Sequence, residues 1–347
     1  MNQAASNSVM SVSRSRYGRR IKESDYRALA SMKTIAEIAS FLKSKTHYGE
    51  SLSGISESTI HRANLESMLR TAYFNNVFDL CRFERSIGSG VFNYIFDRHE
   101  FRLFLSYLIC FISGNPSKFL IDLPMSLNRH SEIDFEKLSS ISDKNELADC
   151  IAGTKLALIA GDIRAGDKIE LIAIESKLRR TLVENALSNI KKGNVKGDSE
   201  ELKKLVLLQS ELNDFILLYR AKKYYGSTPL EISSLIVGKQ CFIPKKIFEK
   251  MVNAETAEKA VELFMSTKYG KEATEPLTSE NINAFCKKFL LSYTTRLIHF
   301  SVDPAVVTLS YILYSETELN NLINIIEGVR YELSPGEIEK EITVISK

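Results

Sequence analysis

The chain has 347 residues, 44% of them apolar and 26% charged, which is enough for two or three compact units. Its 46 basic and 43 acidic residues leave a net charge of +3, which argues against a nucleic-acid binder, whose basic excess is larger and clustered. With 16 glycines and 7 prolines few turns are specified, so the chain leans toward long helices.

The N-terminal segment is basic and serine-rich, with no acid before Glu23. Organelle transit peptides share that composition, but no apolar signal-peptide core is present, and residues 1–16 are read as a flexible N-terminus. Tyr26-Arg-Ala-Leu29, followed by Ile35, Ile38, Ala39 and Leu42, then sets a pattern. An aromatic-x-x-aliphatic segment and a short polar link lead into an apolar stripe at helical spacing, which predicts a short helix followed by an amphipathic one. Leu65-Glu66-Ser67-Met68-Leu69-Arg70 follows, with Glu66 and Arg70 four apart in the orientation that favours an ion pair. The longest apolar stretch, Leu103 to Ile112, is too short for a bilayer span, and Phe104 to Ile112 is expected to be largely buried.

Further along, the same signals return. Phe135-Glu-Lys-Leu138 with Leu147, Ala148 and Ile151 repeats the opening pattern, and so does Phe248-Glu-Lys-Met251 with Ala257, Ala260, Val261 and Phe264. Ile174-Glu175-Ser176-Lys177-Leu178-Arg179 repeats the Glu–Arg segment, whereas the third copy carries Lys287 and Lys288 there and loses the pair. Glu211-Leu-Asn-Asp-Phe215-Ile216 matches Glu318-Leu-Asn-Asn-Leu322-Ile323, and more loosely Glu100-Phe-Arg-Leu-Phe104-Leu105. A proline follows each: Pro116, Pro229 and Pro335. Thr228-Pro-Leu-Glu231 and Ser334-Pro-Gly-Glu337 read as capping boxes with proline at the first helical position. The reading is all-α, with three similar helical domains at 17–125, 126–240 and 241–347.

No motif in the chain carries chemistry. Gly161-Asp-Ile-Arg-Ala-Gly166-Asp167-Lys168-Ile169 is the nearest approach to a phosphate loop, but an aspartate precedes the lysine and isoleucine replaces the hydroxyl. The basic cluster Arg220-Ala-Lys-Lys-Tyr-Tyr225 could suit nucleic acid, with aromatics for stacking, but basic residues at a helix end are what the macrodipole favours, and that reading is preferred. The serine-rich turn Ser51 to Ser58 has no nucleophile signature. The cysteines (Cys81, Cys110, Cys150, Cys241, Cys286) form no C-x-x-C pair, which suggests reduced thiols. The histidines (His47, His61, His99, His130, His299) stand at no metal spacing. Accordingly, no catalytic, cofactor-binding or metal-ligating residue is assigned, and no cofactor is expected.

These segments resemble the C subunit of bacterial and archaeal V/A-type ATPases, related to subunit d of eukaryotic vacuolar ATPases. Glu211 to Tyr225 carries the likeness most specifically, joined by Glu318 to Ile338 and by Arg14-Ser-Arg-Tyr-Gly-Arg-Arg-Ile21 with Asp25 to Leu29. Residues 71–125 match poorly, because an apolar run replaces an Arg-bearing helix end. Lys191 to Gly197 looks like a linker between helices.

The resemblance implies three similar helical domains in a funnel about a pseudo-threefold axis. It further implies a non-catalytic, peripheral subunit on the cytoplasmic face of a membrane. The narrow side would sit on the proteolipid (c/K) ring, and the cavity would receive the end of the central shaft, subunits D and F. Membrane association would come through partner subunits alone, with no nucleic acid bound. The alternative is a free-standing helical adaptor that kept this fold. Ion choice, proton or sodium, and the direction of ATP turnover belong to other subunits and leave no mark here.

Overall fold

The computed structural model describes residues 3–54, 56, 60–122 and 131–344, and among them every regular element is helical. One order of elements runs through the chain three times: two short helices, a connection, two long helices, and a short helix opened by proline. The first run is α2 (Glu23–Ala30), α3 (Ile35–Lys45), α4 (Arg62–Cys81), one-turn α5 (Glu84–Ile87), α6 (Ser89–Ile112) and a 3-10 helix (Pro116–Asp122). The second is α7 (Phe135–Ser139), α8 (Lys144–Ile151), α9 (Ala157–Arg164), α10 (Leu171–Lys191), α11 (Ser199–Tyr225) and α12 (Pro229–Leu235). The third is α13 (Lys245–Val252), α14 (Ala257–Met265), a 3-10 helix (Lys268–Lys271), α15 (Ile282–Phe300), α16 (Pro304–Arg330) and α17 (Pro335–Glu341).

Local chemistry fixes the ends. Both expected capping boxes form, at Thr228/Glu231 and Ser334/Glu337, each with proline inside the first turn. Asp198 caps α11 by accepting from the N–H groups of Glu200 and Glu201, and Gly226 ends that helix in the left-handed region at φ 58°.

Residues 3–16, read from sequence as a loose end, are instead helical and continue to Gly18 as α1 (Gln3–Gly18). Val9 and Ser13 have no exposed surface, and α1 packs on α15 and α16. Arg14 donates to the carbonyls of Ile298 at 2.8 Å and Ser301 at 2.6 Å. An apolar stripe this sparse is weakly periodic by itself, and the neighbouring helices make it ordered.

The six long helices close into a ring. α4 lies on α16, α16 on α15, α15 on α11, α11 on α10, and α10 on α6. Between α6 and α4 the spacing is filled by aromatics: Phe78 stacks on Phe96 at 5.2 Å, and Tyr73 and Phe74 meet His99 edge-on.

Short helices are handed from one run to the next. The smaller apolar core combines Phe101, Phe104, Tyr107 and Leu108 of α6 with Phe135, Leu138 and Leu147 of α7 and α8. In the second hand-off, α11 receives α14 with Phe215 and Phe264 stacked at 3.6 Å; in the third, α16 receives α2 and α3. Packing therefore crosses the sequence boundaries at 125 and 240 and joins the last run back to the first.

The three aligned glutamates hold these junctions. Glu100, 2% exposed, pairs with Lys155 at 2.6 Å. Glu211, fully buried, accepts from the N–H groups of Cys241, Phe242 and Ile243 at 2.7, 2.9 and 3.0 Å and from the Tyr269 hydroxyl at 2.5 Å. Glu318 accepts from Ile21 N–H at 2.8 Å and from Tyr48. Three residues on, Asp214 accepts from Val237 and Gly238, and Asn321 exchanges two hydrogen bonds with Thr343. Leu103 stands at that place in the first run.

The apolar run is one-sided. Phe104, Tyr107 and Leu108 have no exposed surface, but Ile109 and Ile112 are 53% and 51% exposed. Helical period 3.6 turns those two away from the core that buries their neighbours. No described helix is long and apolar enough to cross a membrane.

Candidate functional site: the central cavity

The helix ring encloses a cavity of about 660 Å³ to which all six long helices contribute. The aligned segments meet there. Two positions after the junction glutamates stand Arg102, Asn213 and Asn320, and all three line it. Its wall comes from the N-terminal halves of α4, α10 and α15 and the middle and C-terminal parts of α6, α11 and α16. The cavity therefore lies away from the helix hairpins.

At the other end the hairpins converge. The connection after α4 meets the one after α10 where Gly90 N–H donates to Asn194 O at 3.1 Å and Lys196 N–H to Ile87 O at 2.9 Å. The latter meets the connection after α15 where Asp198 N–H donates to Asp303 at 2.8 Å, while Asp303 also caps α16 through Val306 N–H. Gly88 is required here: its φ is +92°, and a Cβ would collide with Asn194 O and stand 2.8 Å from Val195 Cα. Lys191 to Gly197, expected as a linker, is thus the keystone of a closed end. Phe300 and Val302 project from this end, 80% and 88% exposed.

The cavity is polar and basic, with Arg70, Arg102, Arg179, Arg220 and Lys287 set against Glu175 and Glu316. Glu316, 6% exposed, receives both Arg98 and Arg102, the latter at 2.6 Å. Burial first, then the adjacent Arg98 charge, pushes Arg102 down to about 10, so it stays charged at neutral pH; half of its side chain faces the open cavity. Behind it, burial and the same arginines hold His99 well below its ordinary value, so His99 is a neutral partner for the Tyr73 hydroxyl at 3.1 Å. Burial pushes Asp214 up to about 6, against its two backbone donors and Arg179.

One expected ion pair forms and the other does not. Glu175 and Arg179 stand 3.8 Å apart, but Glu66 turns to Arg62 at 3.7 Å, and no pair with Arg70 forms among the described residues. Arg62 also reaches Glu327 on α16. This cross-helix partner is what the i, i+4 spacing could not reveal.

The remaining sequence candidates scatter. Gly161 to Arg164 forms the last turn of α9, with Ile163 buried, and residues 165–169 are the largely exposed connection after it; Arg164 pairs with Asp149 and Lys144 reaches Gly166 O. In the basic cluster, Lys222 donates to the carbonyls of Val252 and Ala254 at 2.8 and 2.6 Å, tying α11 to the end of α13. Lys223 pairs with Glu258 at 2.5 Å, whereas Arg220 lines the cavity. The five thiols are free, Cys286 buried and the others half-buried. Of the histidines, His47 meets Glu318, His61 precedes α4, His99 meets Tyr73, and His299 meets the Tyr17 ring at 5.2 Å. His130 and part of the turn Ser51 to Ser58 lie outside the described residues. The cavity itself was missed in sequence, although the repeated Glu-x-x-polar signature marks its walls.

A search of curated proteins finds no match. The family model of the ATP synthase (C/AC39) subunit matches residues 9–341, from α1 through α17. Nearly the whole helical ring is thereby covered, and the chain belongs to this family of V/A-type rotary ATPase subunits C and d.

Proposed function

We propose that this chain is the non-catalytic connector of a rotary V/A-type ATPase, seated between the central shaft and the membrane proteolipid ring. The observation that carries the reading is the basic cavity inside a closed ring of six helices. A helical shaft end carrying acidic side chains is complementary to it, and a buried, cross-braced wall suits the passage of torque. The closed hairpin end, with Phe300 and Val302 exposed, is the surface we assign to the proteolipid ring. Partners D and F would enter the cavity, and the chain would attach to the cytoplasmic face of the membrane through its partners.

ATP hydrolysis and ion transport, measured in parallel on membrane vesicles lacking this chain, test the proposal. The detached catalytic head should hydrolyse ATP normally while ion pumping is abolished. Continued coupled pumping would exclude a connector, and loss of hydrolysis by the isolated head would point to a catalytic or assembly role.

A further inference from the structure

A side pocket of about 220 Å³ opens between α6, α10 and α11, sharing Arg102, Arg179 and Gln209 with the central cavity. Much of its wall is apolar, from Phe101, Leu105, Leu178, Leu182, Val183 and Val206. Arg98 and Ser210 also line it, only 8% and 7% exposed. Arg98 pairs with Glu316 through Nη2 and also donates to the Tyr94 hydroxyl, which leaves part of its guanidinium, and Ser210 Oγ, without an acceptor at hydrogen-bonding geometry. The neighbouring Tyr94 hydroxyl donates to Gln209 Oε1 at 2.7 Å. Buried donors without acceptors are strongly unfavourable, more so on a charged group, and such a set is completed by a ligand.

We propose that this pocket binds a monocarboxylate on a short apolar stem. The carboxylate sits on the guanidinium of Arg98 with Ser210 as a second donor, and the stem lies among Phe101, Leu178 and Val206. Both bidentate edges of a guanidinium include Nη2, which Glu316 occupies, so the carboxylate takes one charge-assisted hydrogen bond from Arg98 and a second from Ser210. Charge selects an anion. Arg98, Arg102 and Arg179 line the pocket against Glu175, and Glu316 takes up Arg98 and Arg102 from behind, so the lining is net basic. A phosphate dianion would press its oxygens against apolar walls. The carboxylate comes either from a free short-chain acid or from a protein chain seated in the central cavity. The site is a property of the isolated chain and does not depend on the connector reading.

Hexanoate titrated into the purified full-length chain, with hexan-1-ol and inorganic phosphate as controls, tests the site by calorimetry. Saturable one-to-one binding of hexanoate alone is expected. Arg98→Gln should weaken it about tenfold or more. Because that change strips a partner from buried Glu316, Leu178→Phe is the second variant; it fills the stem site, leaves the charges, and should abolish binding. The proposal is overturned if hexanoate does not saturate, if hexan-1-ol or phosphate binds equally well, or if a folded variant binds like the parent. Repeating the titration on the assembled complex decides the source. A blocked site there assigns the carboxylate to a partner chain, and an open one assigns it to a free acid; both outcomes uphold the pocket.

Discussion

Glu318 on α16 accepts a hydrogen bond from the backbone N–H of Ile21 at 2.8 Å, and so ties the last run of helices to the first. Burial pushes this carboxyl up to about 7, opposed by the Ile21 and Tyr48 hydrogen bonds. Burial also lowers His47, which lies 3.4 Å away, so neither partner favours its charged form.

The folded-state pKa of Glu318 exceeds its unfolded value, so its contribution to stability is complete below about pH 4.5 and is lost as pH rises through about 7. Asp214, raised to about 6, acts in the same direction. Glu318→Gln keeps an acceptor for Ile21 and removes the ionisation. It should raise stability by about 1–2 kcal/mol at pH 8 and flatten the pH profile between 5 and 8. Denaturant titrations across that range decide it, and an unchanged slope would refute the assignment.

Gly88→Ala places a methyl against Asn194 O at a positive φ. The collision is with backbone, so relief requires the first two hairpins to part. A loss of about 2–4 kcal/mol is expected, with increased amide exchange at Lys196, whose N–H is bonded to Ile87 O. Parent-like exchange at Lys196 would show the closed end to be looser than described.

The apolar run gives a paired experiment. Leu108 has no exposed surface in the smaller core, so Leu108→Asp should unfold or aggregate the protein, since full burial of such a side chain is worth about 1.5–3 kcal/mol before any buried charge is counted. Ile109→Asp, one residue on and half exposed, should leave thermal stability within about 0.5 kcal/mol of the parent. Equal damage from both would mean that the outward face is covered.

Reversing charge in the cavity separates binding from folding. Arg220→Glu with Lys287→Glu alters two wall residues that make no ion pair among the described residues. Stability should change little, while co-purification of shaft subunits from membranes falls at least about tenfold and salt dependence weakens. Undiminished recovery of the shaft would refute the cavity as its seat.

Much of this architecture was legible in the residues. The aromatic at Tyr26, Phe135 and Phe248 lies buried in a short helix of each run, and Pro229 and Pro335 sit inside capping boxes, because helical period and cap chemistry are local. The matched glutamates at 100, 211 and 318 were visible as a pattern, but their role was not. Glu211 works by accepting three backbone N–H groups some 30 residues away, and a backbone donor leaves no trace in side-chain identity. Spacing alone does not choose for Glu66 between Arg62 and Arg70, each four residues away, and residues 3–16 read as loose because the helices that order them, α15 and α16, are distant in sequence. The pocket at Arg98 was invisible, since its walls come from three helices distant in sequence.

The hand-off of short helices also sets a timetable for synthesis. The smaller core draws its apolar side chains from Phe101 to Leu182, so every component is made well before α15, α16 and α17. The larger core contains Val9 and Ile338 together. It cannot close until Ile338 has been made, and until then α2 and α3 wait with their apolar faces unpartnered. A nascent chain stalled near residue 300 would hold one finished core and one open one, which makes the emergence of α16 and α17 the step at which the ring shuts.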